Sequence, residues 1–337
     1  MRMLAVDMDG TLLGGDGQVS ARNLTALKAV ERSGVEVVVA TGRRHSYAMR
    51  VLRGLGLRDE NALISSNGAV TRTLGARLLE RTLLLRGTAE WLCGHMGEYR
   101  SSLLLTFDRV QPDGDDSRGA LVVEEMADLN SSIGRWMAAN EPYIERVVPI
   151  ERALGSEGLI QMMLTGPIER MRAAEALLLE SPKVQAIGLE PLRPGGDEQS
   201  HSSLRDEWGT RLPAGETAER MQGVPRTPVT AEAALHRTEY PERDLSIVDI
   251  LPAGCSKGLA LLELARDRGV KPDEIVAVGD NWNDVSMLEA AGRAVLMGNA
   301  PEDLKEVGRG RGWMMGKRHD EDGVAEVVAM ALDGAFV

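Results

Sequence analysis

The tract Asp7-Met8-Asp9-Gly10-Thr11-Leu12-Leu13 follows directly on the apolar run Met3-Leu4-Ala5-Val6. Two carboxylates therefore stand two residues apart where a buried strand gives way to a turn that Gly10 permits. In an open α/β sheet, ligands collect at the carboxyl ends of the strands, so an acidic pair there faces a cleft. Such a pair suits phosphoryl transfer: Asp7 attacks phosphorus, and Asp9 protonates the leaving oxygen and later activates water. Asp also favours turns and helix caps, so one Asp-x-Asp is ambiguous by itself. Three further strand or helix ends supply complementary groups.

Val35-Glu36-Val37-Val38-Val39-Ala40 runs into Thr41-Gly42-Arg43. Thr41 can donate to a phosphoryl oxygen and Gly42 lets backbone approach closely. Arg43 or Arg44 adds positive charge near an anion, unless the two arginines are simply solvated. Ser256-Lys257-Gly258 opens a helical pattern through Leu259, Leu261, Leu262, Leu264 and Ala265, with Ser256 as N-cap and Gly269 as the stop. A lysine in the first helical turn opposes the helix dipole, a local misplacement expected where a charge serves a ligand. Lys257 can offset Asp7 and an incoming phosphate, whereas an isolated lysine there would be a surface residue.

Ile275-Val276-Ala277-Val278-Gly279 ends in Asp280-Asn281-Trp282-Asn283-Asp284, ahead of a helix through Met287, Leu288 and Ala291. Mg²⁺ prefers oxygen ligands and takes one or two protein carboxylates with waters and substrate phosphate. Asp280 with Asp7 meets that demand. Asp284 either orients Lys257 or holds a metal-bound water.

In order, these segments resemble the four motifs of the haloacid dehalogenase superfamily. Ser65-Ser66-Asn67-Gly68-Ala69, Pro252-Ala253-Gly254-Cys255-Ser256-Lys257-Gly258, Met297-Gly298-Asn299-Ala300 and Asp322-Gly323-Val324-Ala325 resemble its Cof-type sugar-phosphatase group. The resemblance implies Asp7 as nucleophile and Asp9 as acid/base, acting on a small phosphorylated metabolite through an aspartyl phosphate. It implies Mg²⁺ held by the Asp7 and Asp280 carboxylates and the Asp9 main-chain carbonyl, with Asp284 completing the metal and lysine environment alongside Asn283. Thr41 and Lys257 would grip phosphoryl oxygens. Gly10, Gly42, Arg43, Asn67 and Asn283 complete the candidate phosphate and substrate contacts, Asn67 bordering the substrate where the cap closes. The stretch from Gly308 to His319 departs from the family pattern. A phosphomutase of the same superfamily, or a non-catalytic regulator that binds phosphometabolites, are the alternatives.

The elements that position these groups follow from the spacing. Only one helix-length segment, Ser20 to Ser33, separates Asp9 from Thr41, so no second domain fits there. Most of the 337 residues lie between Thr41 and Lys257. The expected fold is α/β: a Rossmann-like doubly wound parallel sheet with an inserted α+β cap of the C2B kind. Residues 1–84 and 252–337 form the core and 85–251 the cap, inserted after a third core strand around Ala62 to Val70. Within the cap, strands are expected at Ser101 to Phe107, Leu159 to Thr165, Lys183 to Ile187 and Leu245 to Ile250, and helices at Thr88 to Glu98 and Pro167 to Glu180. The stretch 191–230, rich in Pro, Gly, Ser and acids, reads as an irregular extension or loop. Asp113-Gly114-Asp115-Asp116 reads as a polar turn.

A formal charge of −12 argues against a nucleic-acid or anionic-membrane partner. Met1-Arg2-Met3-Leu4-Ala5-Val6 meets Asp7 too soon for a signal sequence, and two cysteines make no disulfide framework, so a reduced cytoplasmic setting and a monomer or small homo-oligomer are expected. The five histidines show no metal-ligand spacing and read as surface or cap residues. Two phenylalanines offer no stacking platform, which favours a sugar phosphate over a flat aromatic substrate.

Overall fold

The computed structural model describes residues 1–126, 131–186, 231–240 and 243–333. Along the chain run β1 (Met3–Asp7), α1 (Ala21–Arg32), β2 (Glu36–Ala40), α2 (His45–Leu52), β3 (Ala62–Ser65), β4 (Val70–Thr73) and β5 (Leu78–Arg81). Then come α3 (Arg86–His95), β6 (Leu103–Phe107), β7 (Leu121–Val123), α4 (Ser131–Asn140), β8 (Ile144–Arg146), β9 (Leu159–Gly166), α5 (Ile168–Leu179) and β10 (Val184–Ala186). The rest are β11 (Ala233–Tyr240), β12 (Leu245–Pro252), α6 (Lys257–Asp267), β13 (Ile275–Gly279), α7 (Val285–Ala290), β14 (Arg293–Leu296), α8 (Glu302–Gly310), β15 (Met314–Met315) and α9 (Gly323–Leu332).

The first sheet has the order β15-β14-β13-β1-β2-β3-β4-β5, and its strands from β15 to β3 are parallel. β1 and β13 are buried along their whole length, as expected of strands covered on both faces. Leu4 and Val6 point into a layer with Leu27 and Val30 of α1 and Val324, Val327 and Val328 of α9. Met3 and Ala5 face the opposite layer, with Leu261 and Leu264 of α6 and Met287 and Leu288 of α7. Ser20 caps α1 by accepting the Asn23 N–H and donates to Asp322 at 2.6 Å, while Asn23 accepts the Ala325 N–H, so the two helices start from one hydrogen-bonded corner.

The third core strand is shorter than its apolar run suggested. It stops at Ser65, because Ser66, Asn67 and Gly68 take φ values of 48°, 51° and 102° and reverse the chain. β4 and β5 then extend the first sheet antiparallel before the chain leaves it, two strands that the sequence reading lacked.

The second sheet has the order β10-β11-β12-β9-β6-β7-β8. The strands and helices expected here appear with ends shifted by a few residues; the helix expected to reach Glu98 ends at His95 and passes into a 3₁₀ stretch, Gly97–Ser102. β7, β8, β11 and α4 went unread. β11, Ala-Ala-Leu-His-Arg-Thr-Glu-Tyr, has no clean apolar period, and pairing with all eight residues of β12 makes it a strand. The stretch 191–230 lies outside the described residues. The atypical segment from Gly308 onward forms the end of α8 and the edge strand β15, and brings the His319 N–H onto Asn299 at 2.9 Å. Among the described residues no helix is long and apolar enough to cross a membrane.

The start of α6 is pressed against α7: a Cβ on Gly258 would lie 2.1 Å from the Ser286 carbonyl oxygen. Gly258→Ala is therefore expected to cost about 1–3 kcal/mol through backbone displacement, read as a lower urea midpoint. An unchanged midpoint would show that the two helices are not in this contact.

Candidate active site

The carboxyl ends of β1, β2 and β13 and the first turn of α6 meet at one place. Asp7 ends β1 opposite Ala40 of β2, so Thr41 leaves its strand beside the acid. Ser256 caps α6 through the Leu259 N–H, which fixes Lys257 in the first turn. Lys257 is not a surface residue: it is fully buried, with Nζ 2.6 Å from Asp7 Oδ1 and 2.6 Å from Asp284 Oδ1. Asp284 Oδ2 accepts the backbone N–H groups of Asp280 at 2.9 Å and Asn281 at 3.0 Å. Both oxygens of Asp284 are thus engaged, and what this carboxylate does in the structure is orient Lys257 and close the turn after β13.

Asp280 is held from the far side. Thr11 donates to its Oδ1 at 2.8 Å, and Asn299 Nδ2 reaches its Oδ2 at 3.2 Å and the Gly10 carbonyl at 2.8 Å. Gly10 has φ +80°, and a Cβ there would lie 2.3 Å from Asp280 Oδ2. Its place in the structure is to make room for the Asp280 carboxylate. Thr11 and Asn299 were not assigned roles from sequence; Asn299 had a signal in its motif, and Thr11 had none beyond following Gly10.

Asp7, Asp280 and Asp284 each present an oxygen within 4.8 Å of the others. Three carboxylates facing one ammonium leave two formal negative charges. Burial pushes the Asp7 carboxyl up from 3.8 to about 7, helped by the Asp284 charge and opposed by Lys257. Burial, then Asp7 and Asp284, also raises Asp280 well above the usual carboxylate range. Against the pull of burial, Asp284 and Asp7 hold the Lys257 ammonium above its ordinary range. Asp7, Asp280 and Asp284 form a buried all-oxygen cluster with an excess formal charge of two, a donor set that fits a hard divalent cation such as Mg²⁺.

Asp9 faces the opening, a third exposed, and both its oxygens meet Arg43, Nε to Oδ2 at 2.7 Å and Nη2 to Oδ1 at 2.5 Å. Arg43 is therefore an ion-pair partner of Asp9 and not a solvated arginine. Its backbone N–H donates to Thr41 Oγ1 at 3.1 Å. Gly42 lies against the Asn67 amide. Asn67 is buried and joins three segments: its N–H donates to the Thr41 carbonyl, its Oδ1 accepts from Asn283 at 3.0 Å, and its Nδ2 donates to Asp249 Oδ2 at 2.7 Å. Asp249 belongs to β12 of the second sheet and also accepts from Gln161 of β9. Asp249 and Gln161 were missed, although in an alternating strand a lone acid on one face is a usable signal.

Asp7, Asp9, Thr41, Gly42, Arg43 and Asn283 line a cavity of about 490 Å³ whose roof is the second sheet. Arg44 also lines it, pairing with Asp116 at 3.0 Å and donating to Asn140 at 2.8 Å. Asp116, read as part of a polar turn, is thus a buried contact between the sheets. Of the histidines read as surface or cap residues, His45 at the start of α2 and His236 in β11 are buried and not at the surface; burial lowers both imidazoles to about 4.

The sequence profile of the haloacid dehalogenase-like hydrolases matches residues 4–105 and 231–328, which carry Asp7, Asp9, Thr41, Asn67, Lys257, Asp280 and Asp284 but not Asp116, Asn140 or Gln161. The chain belongs to this family. Phosphatase YwpJ of Bacillus subtilis (strain 168) is 29% identical over 343 residues, spanning 98% of this chain and 100% of that protein. The 5-amino-6-(5-phospho-D-ribitylamino)uracil phosphatase YwtE of the same organism is 26% identical over 352 residues, spanning 100% of both. A solved structure of a haloacid dehalogenase-like hydrolase from B. subtilis shares the fold with a TM-score of 0.67 at 22% identity, covering 98% of this chain and 99% of that one. The haloacid dehalogenase fold and membership of its hydrolase family follow directly, and both of these B. subtilis relatives are named phosphatases.

The buried acid of the second sheet gives a measurable pH effect. Burial pushes the Asp249 carboxyl up from 3.8 to about 7, against the hydrogen bonds from Gln161 and Asn67 and the Lys257 charge. A carboxyl raised on folding binds its proton more tightly in the native state, so it costs nothing below the unfolded value. Its cost grows as pH rises through the folded value. Asp249→Asn should therefore gain stability relative to the parent between about pH 4 and about pH 7. Urea midpoints of the two proteins that differ by the same amount at both ends of that interval would contradict the raised carboxyl.

Proposed function

We propose that this hydrolase is a Mg²⁺-dependent phosphomonoesterase that works through an aspartyl phosphate on Asp7, with a small phosphorylated metabolite as substrate. The observation that carries this reading is the buried Asp7–Lys257–Asp284 triad beside Asp280. A structural carboxylate would need neither the excess negative charge nor a cavity in front of it. The named phosphatases among the relatives support the same reaction class. We further read residues 1–84 and 252–337 as the catalytic core and 85–251 as an inserted cap.

In this reading an oxygen of Asp7 attacks phosphorus and the ester P–O bond breaks. Asp9 supplies a proton to the departing oxygen, so the leaving group departs as an alcohol. Asp9 then takes a proton from water, whose oxygen attacks phosphorus and breaks the acyl phosphate bond, restoring Asp7 and releasing inorganic phosphate. Lys257 fixes the Asp7 carboxylate and offsets charge on the phosphoryl oxygens, with Thr41 as a donor to one of them. Arg43 holds Asp9 until an arriving phosphate dianion competes for the guanidinium and frees the acid. Asp7, Asp280 and the Asp9 main-chain carbonyl would hold Mg²⁺, which would supply charge shielding between Asp7 and the dianion and polarisation of phosphorus.

Purified protein should release phosphate from p-nitrophenyl phosphate with Mg²⁺ and lose that activity in EDTA. Asp7→Asn should abolish release, and Asp9→Asn should slow it by about 10²–10⁴-fold. Activity surviving Asp7→Asn, or unaffected by EDTA, would refute the mechanism.

A further inference from the structure

Apart from a bulge where β6 meets β9 at Thr106 and Phe107, the second sheet alternates between its two faces. Leu103, Leu105, Met162, Leu164, Val248 and Ile250 pack with α3 and α5. The intervening residues look the other way, across the cavity toward Asp7 and Asp9. An antiparallel sheet face that meets water normally turns polar. This one carries Leu104, Met163, Leu245 and Ile247. α4 covers part of it, with Ile133 and Trp136 in the cluster of Leu104, Leu121 and Leu245. Met163, Ile247, Tyr240 and Trp136 stay half-buried at the cavity wall, with Tyr47 of α2 on the core side.

This wall is continuous with the catalytic centre, so its natural occupant is the part of the substrate beyond the phosphate. The cavity of about 490 Å³ falls within the ~300–1,000 Å³ typical of clefts that enclose drug-sized ligands. A polyol body would place hydroxyls against hydrocarbon, and each hydroxyl removed from water without a partner is unfavourable. On the sheet face Thr106, Gln161, Thr165 and Thr238 can meet one polar edge of a ligand, while Asp249, Arg135 and Arg243 also line the cavity. We propose that the substrate body is a flat, largely apolar ring system with one hydrogen-bonding edge, seated on Met163, Ile247, Tyr240 and Trp136 while its phosphate lies at Asp7. The proposal rests on the phosphatase reading and names its substrate class. It reverses the expectation from the phenylalanine count, because the aromatic residues at the wall come from three distant stretches of sequence.

The test compares 2-(1-naphthyl)ethyl phosphate with glucose 6-phosphate, two primary alkyl esters whose chemistry at phosphorus is matched. With Mg²⁺, kcat/KM for the naphthyl ester should exceed that for the sugar by about tenfold or more, the scale of discrimination by apolar pockets. Trp136→Ala and Ile247→Asn, checked for an intact thermal transition, should each lower that ratio, chiefly through KM of the naphthyl ester. Equal or better turnover of glucose 6-phosphate, or a ratio unmoved in both folded variants, would overturn the proposal. Should neither ester release phosphate, the phosphatase reading falls by itself. Calorimetric binding of the two compounds then decides the substrate class, tighter naphthyl ester upholding it and equal or weaker binding overturning it.

Discussion

One buried ammonium holds the site together. Lys257 is sealed from solvent and lies 2.6 Å from carboxylates on two different strand ends. Stripping water from a lysine is costly, and the charge is tolerable inside the protein because Asp7 and Asp284 face it. Those acids in turn depend on it, since each is buried and would otherwise carry unpaired charge. The contact therefore ties β1, the turn after β13 and the start of α6 to one point. The glycine at 258 answers the same demand by letting α6 come down onto α7.

From that point the cavity is organised outward by hydrogen bonds across the two sheets. Asn67, held in a left-handed conformation, touches the Thr41 turn, Asn283 and Asp249 of the second sheet at once. Arg44 bridges to Asp116 and Asn140 on the same side of the cleft. Thr41, Arg43 and Asn283 are thereby placed by the same short turns that dock the roof over them. Excess negative charge is buried at Asp7 and Asp280, Asp9 and Arg43 are paired at the opening, and the wall beyond sets Leu104, Met163, Leu245 and Ile247 among Thr106, Gln161, Asp249, Arg135 and Arg243.

Much of the core was legible because its chemistry sits at strand ends that announce themselves. The β-branched and apolar runs before Asp7, Thr41 and Asp280 mark strands buried on both faces, and Ser256 marks the helix that carries Lys257. Partnership was harder to read than presence. Nothing local to Arg43 says that it will clasp Asp9, and nothing local to Asp284 says that two backbone N–H groups will occupy its second oxygen. The second sheet was read in part. Its outer face shows in Leu103, Leu105, Met162 and Leu164, yet β11 has a mixed pattern and becomes a strand through its neighbour β12. The aromatic lining was invisible for a related reason: Tyr47, Trp136 and Tyr240 acquire a common purpose only when two sheets are folded over each other.

The central claim is that Lys257 presents Asp7 as the group that captures phosphorus. Its most direct test is chemical trapping: the enzyme is mixed with Mg²⁺ and a phosphomonoester, quenched in acid during turnover and reduced with borohydride, which converts an acyl phosphate into an alcohol. Peptide mass spectrometry should then find homoserine at position 7. Rapid phosphate release with an unmodified aspartate at that position throughout would contradict the account.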